Sequence, residues 1–173
     1  MTGSGKSEVA ARFADAGFTR IRFGDITDEE VKARGLLLTE ENERAVRESL
    51  RRDFGMAAYA VKNRPKIDDA LARSDVVVDG LYSWEEYLFL KEAYGEDLVI
   101  VAVWSSPETR YSRLAERQVR GLTREEASGR DRAEIENVNK GGPIAMADFT
   151  ILNESSIEYL FAETDRIITG VKS

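Results

Sequence analysis

Within the opening MTGSGKSEVA, six residues carry the clearest chemistry of the chain: Gly3, Ser4, Gly5, Lys6, Ser7 and Glu8. Closely spaced glycines let backbone N–H groups converge on phosphate oxygens, because they tolerate angles that side chains resist. A lysine directly after the second glycine reaches the outer phosphates of a nucleotide, and the hydroxyl beside it holds Mg2+. The second half of the pattern G-x-x-x-x-G-K-[ST] is complete at Gly5-Lys6-Ser7. The competing explanation is a glycine-rich turn without a ligand. The helical stretch that begins at once argues against it, since a helix N-terminus adds a positive end to a phosphate site.

Further candidates lie where strands should end. Asp79 closes the apolar run VVVDG, and parallel sheets place ligands outside the carboxyl ends of their strands. There it can accept from a Mg2+-bound water or orient Lys6, although Asp-Gly is also an ordinary turn. Asp25 follows IRFG on the same edge and is placed to position or deprotonate an acceptor hydroxyl, or simply to cap a helix. Arg117, Arg130 and Arg132 belong to a cluster of arginines of the kind that surrounds a moving phosphoryl group. Solvated helix faces also carry such residues, and Arg113 and Arg120 read that way. Asn153 follows the last strand and is expected on the adenine side, with turn chemistry as the alternative.

Composition narrows the chemistry. The 173 residues contain no Cys and no His, which removes thiolate and imidazole nucleophiles and the commonest zinc ligands. The absence of cysteine fits a cytoplasmic location. A net charge of −7 argues against a general nucleic-acid face, and no apolar run approaches a membrane span. With 42% hydrophobic residues the chain can form one domain with a real core.

The elements that must position these residues alternate. FTRIRF, DVVVDG, LVIVAVW and DFTIL read as strands, with helical stretches before, between and after them. Capping boxes are expected at Thr27/Glu30, Ser83/Glu86 and Ser155/Glu158. A break is expected near Gly55, Pro65 is expected in the first turn of a further helix, and Ser106-Pro107 should open a helix running to about Arg120. The pattern predicts an α/β fold with a parallel sheet and helices on both faces. Two helical insertions, about 25–74 and about 117–147, stand outside the alternation. The strand that normally carries a phosphate loop falls before Met1. The sheet is therefore expected to lack its central strand, with a slot between DVVVDG and LVIVAVW.

GSGKSE, FGD, VVVDG, RDRAE and ADFTILNES, in this order, resemble the adenylate-kinase-related P-loop family over essentially the whole chain. The likeness is greatest to uncharacterised, mainly archaeal proteins related to adenylate kinase and dephospho-CoA kinase. It implies the P-loop nucleotide-kinase fold, ATP and Mg2+ as cofactors, and transfer of the γ-phosphoryl group to a small-molecule acceptor. It also implies an acceptor-binding region at about 25–74, a lid at about 117–147, and a monomer or homodimer. Gly3, Gly5, Lys6 and Ser7 match the phosphate loop, Asp25 a candidate base, and Arg117, Arg130 and Arg132 the lid arginines. Two positions depart from the pattern: Asp28 and Tyr82 stand where acceptor-side arginines are expected. Arg52 or Arg64 would have to substitute, and a nucleotide-binding module without transfer activity is the alternative.

Overall fold

The computed structural model describes residues 1–118 and 121–172. Helix α1 (Lys6–Asp15) leads straight out of the glycine loop into strand β1 (Thr19–Arg22). Helices α2 (Asp25–Ala33), α3 (Glu40–Phe54) and α4 (Ala58–Leu71) intervene before β2 (Val76–Asp79). Then come α5 (Trp84–Tyr94), β3 (Val101–Trp104) and α6 (Pro107–Ala115). The arm formed by α7 (Arg124–Glu136) and the short α8 (Gly141–Ala145) precedes β4 (Phe149–Leu152) and α9 (Ile157–Val171). No helix among the described residues is long and apolar enough to cross a membrane.

β1 and β2 pair in parallel with Arg22 opposite Asp79, and β3 and β4 pair in parallel with Trp104 opposite Leu152. Among the described residues no ladder joins one pair to the other, as expected of a sheet without its central strand. Side chains bridge the pairs instead. Val77 of β2 and Val101 of β3 pack on one cluster with Val9 and Phe13 of α1 and Leu160, Ile167 and Ile168 of α9.

Strand side chains alternate between faces, so Val76 and Val78 serve the opposite cluster. There they meet Phe23, Val31, Val46, Leu50, Tyr59 and Leu90 from β1, its following turn and the α2–α5 bundle. This explains why 76–78 is a continuous apolar run: both faces of the strand are covered. Phe23, Val31 and Val46 are fully buried, each contributing roughly 1.5–3 kcal/mol by removal from water.

Three local expectations fail, the first of them for a tertiary reason. α2 begins at Asp25 after Gly24, so Thr27 lies inside it; its buried hydroxyl bonds the Tyr59 hydroxyl at 2.6 Å. Pro65 sits inside α4 rather than in its first turn, because that helix already starts at Ala58. The α9 cap is Ser156, whose hydroxyl accepts from the Tyr159 N–H, one residue later than predicted. α3 does end at Gly55, which adopts φ 73°. Ser83 and Ser106 cap α5 and α6 as expected, α6 ends at Ala115, and Arg120 lies outside the described residues.

Candidate active site

The glycine loop is wedged between α6 and the end of β4. Gly3 and Gly5 adopt φ of 82° and 95°, the left-handed region that favours glycine. Space excludes side chains as well. A Cβ on Gly3 would meet the Arg110 carbonyl oxygen at 3.0 Å, and one on Gly5 would meet Asn153 Nδ2 at 2.4 Å. Asn153 is buried beneath the loop and donates to the Ser4 carbonyl at 2.9 Å.

Arg110, only 4% exposed, donates to the carbonyls of Thr2 and Ser105 and forms a two-pronged ion pair with Asp131 of α7 at 2.8 and 2.5 Å. The loop is thus preorganised by buried hydrogen bonds that charge strengthens.

Above the loop lies a cavity of about 1100 Å³ with walls from four directions. Thr2, Gly3, Gly5, Lys6, Ser7 and Glu8 form its floor. Arg22, Asp28, Arg47, Arg51 and Tyr59 come from β1 and helices α2–α4. Asp79 and Tyr82 come from the end of β2 and the turn beyond it, Arg117 from the segment after α6, and Arg130, Glu134 and Lys140 from α7 and the turn that follows it. The volume sits at the upper end of the range for a single small-molecule pocket, which suits two ligands bound side by side.

Charge in this cavity is arranged unevenly. Burial, reinforced by Lys140, lowers the Lys6 ammonium to about 8, and its Nζ donates to the Met1 carbonyl at 2.7 Å. Glu134 is pulled upward by burial, but Lys140, Thr2 and Arg130 outweigh this and hold it at about 2. Asp79 is ion-paired with Arg20 on the neighbouring strand. Arg47 is held by Glu40 at 2.6 Å, whereas Arg51 has no hydrogen bond or ion pair among the described residues. Its guanidinium lies 5.7 Å from the Tyr59 ring centroid, and its Nε is buried without a partner. Burial raises the carboxyl of Glu86, which lies behind Tyr82, to about 7.

The structure brings together Gly3, Gly5, Lys6, Ser7, Glu8, Asp79, Arg117 and Arg130 around one cavity. Ser4 and Asn153 lie buried under its floor. Asp25 pairs with Arg22 at 3.3 Å and does not itself line the cavity, whereas Asp28, one turn on, lines its wall. Arg132 is exposed and does not line the cavity. Helix geometry separates it from Arg130, because positions two apart point to nearly opposite faces.

Neither proposed substitute faces the cavity: Arg52 pairs with Asp53 and Arg64 with Asp68. Arg22, Arg47 and Arg51 are there instead. On α3 the lining residues Glu40, Glu43, Arg47 and Arg51 recur at helical spacing, a polar stripe readable from the sequence. Lys140 and Glu134 carried no such signal.

The site and sheet define a P-loop kinase-like α/β domain. A gluconokinase from Sinorhizobium meliloti 1021 superposes at TM-score 0.55 with 17% identity, covering 99% of this chain and 91% of its own. TT1252 from Thermus thermophilus superposes at 0.58 with 20% identity, covering 98% and 93%. At such identities the likeness shows the fold alone. The AAA domain family matches residues 1–137. A UPF0200 protein of Thermococcus kodakarensis is 37% identical over 100% of this chain and 95% of its own length. One from Hyperthermus butylicus is 37% identical over 98% and 90%. The chain belongs to the UPF0200 family of AAA-domain proteins.

Proposed function

We propose that this protein binds ATP with Mg2+ and transfers the γ-phosphoryl group to a small acceptor that carries an anionic group, of the nucleotide or coenzyme-precursor class. The observation that carries this reading is the shared cavity: a preorganised phosphate loop faces helix α3, whose Arg51 lines the same cavity with its buried Nε unpaired. The residues fit the two ligands. Gly3 and Gly5 let the loop seat against Arg110 and Asn153 more closely than a Cβ would permit, and Lys6 is an ammonium whose hydrogen bond goes to a neutral carbonyl.

Ser7 would hold Mg2+ directly, and Asp79 would do so through water. This suits an ion that keeps several waters, and no cluster of three acidic ligands exists among the described residues. When bound, Mg2+ neutralises charge on the phosphate oxygens. Lys6, Arg117 and Arg130 would stabilise the moving group, Asp25 and Asp28 would position the acceptor hydroxyl, and Arg51 would take the acceptor's anion.

Titration with ATP·Mg2+ tests the first half, and no binding at millimolar nucleotide by folded protein refutes it. ATP consumption across a panel of phosphorylated and unphosphorylated acceptors tests the second half. Binding with only trace hydrolysis throughout favours a module that binds nucleotide without transferring phosphate. Tyr82 at an expected arginine position is the observation on that side.

A further inference from the structure

Two lysines meet above the loop, and only one of them belongs to the phosphate motif. Lys140, in the turn between α7 and α8, has a side chain 6% exposed. Its Nζ lies 5.5 Å from the Tyr82 ring centroid, and its charge helps to lower the Lys6 ammonium. Two ammonium groups that line one cavity repel each other unless an anion lies near both.

Glu134 of α7 supplies that anion. It accepts from Lys140 Nζ at 2.8 Å, from the Thr2 hydroxyl at 2.9 Å and from Arg130 Nε at 3.4 Å. Its donors come from the loop, the α7–α8 turn and α7 itself. A carboxylate brings one charge and two oxygens to this focus, whereas a phosphoryl group brings more charge and three acceptor oxygens.

We infer that Lys140 is a second phosphate-binding lysine held in reserve by Glu134, whose carboxylate occupies the phosphate cradle until a polyphosphate displaces it. This rests on the nucleotide-binding reading above and adds both a residue and a competition to it. The displaced Glu134 is not stranded. Arg130, one turn earlier on α7, bonds it through Nε and can keep it paired while its terminal nitrogens face the phosphates. No movement of α7 as a whole is needed.

A purely structural ion pair and a reserve ligand predict different signs. In a structural pair, removing either partner loosens the site and weakens binding. In the proposed arrangement the two removals act in opposite directions. The test measures binding of inorganic tripolyphosphate and of ATP·Mg2+ by titration calorimetry, for the wild type, Glu134→Gln, Lys140→Met and the double variant.

Glu134→Gln is expected to bind both probes about tenfold more tightly, since one charge-assisted contact no longer has to be broken. Lys140→Met and the double variant are expected to bind at least about tenfold more weakly than wild type. Glu134→Asp, with a shorter reach, covers the case in which the glutamine variant does not fold, and should shift affinity in the same direction by less.

Weaker or unchanged binding in the position-134 variant that folds, or equal losses at both positions, overturns the inference while the nucleotide reading stands. Absence of binding by every folded protein, wild type included, overturns that reading and the inference with it.

Discussion

Alanine at Gly5 subjects the preorganised loop to a quantitative test. Holding a residue with a side chain in the left-handed region at φ 95° costs about 1–2 kcal/mol. The new Cβ would stand 2.4 Å from Asn153 Nδ2, so the amide must move away. That breaks its 2.9 Å bond to the Ser4 carbonyl, a buried acceptor whose loss of a donor adds about 1–3 kcal/mol. The total is about 2–5 kcal/mol. At roughly 2–4 °C per kcal/mol for a domain of this size, the midpoint should fall by about 4–20 °C.

Asn153→Ala removes both the clash and the bond, so Gly5→Ala in that background should cost only the backbone strain, about 1–2 kcal/mol. Urea denaturation of the four proteins gives the coupling directly. Equal costs of Gly5→Ala in the two backgrounds would refute the claim that Asn153 props the loop through this contact.

Three other perturbations follow the same logic. Below pH 8 the buried Lys6 is charged in the folded state at a penalty, which is relieved between about 8 and the ordinary lysine value of 10.5. Lys6→Met should therefore raise stability at pH 7 by on the order of 1 kcal/mol while abolishing ATP binding; lower stability at pH 7 in denaturation counts against it. Glu86 is raised from 4.5 to about 7, so its favourable contribution is complete below 4.5 and lost as pH rises through 7. Wild-type stability should fall over that window relative to Glu86→Gln by up to roughly 2–3 kcal/mol, and parallel pH–stability curves would contradict it. Arg130→Ala should weaken ATP binding several-fold, whereas Arg132→Ala should leave both binding and stability within about 0.5 kcal/mol; similar losses from the two would contradict the helix-face argument.

The phosphate loop was legible because its chemistry is local: adjacent residues supply both conformation and charge. Strand positions were legible because burial on both faces leaves a continuous apolar signature, as in VVVD. What escaped prediction depended on partners distant in the chain. Thr27 has the composition of a cap, but Tyr59, far along the chain, claims its hydroxyl. Arg130 and Arg132 share a cluster in one dimension and are parted by the turn of the helix. Arg51 belonged to a readable stripe, but only the fold shows which face of α3 meets the cavity. Lys140 lies in a polar stretch with no periodicity, so its place beside Lys6 arises wholly from tertiary packing.

The ion pair between Arg110 and Asp131 has a mechanical consequence. Asp131 lies near the midpoint of α7, while Arg110 is rooted in the buried base of the glycine loop. A second two-pronged pair, from Arg124 to Glu108 of α6, fastens the first turn of the same helix, so α7 is clamped to α6 at two points along its length. The backbone that carries Arg130 and Glu134, on either side of the Asp131 clamp, is thereby held on the same footing as the base of the glycine loop.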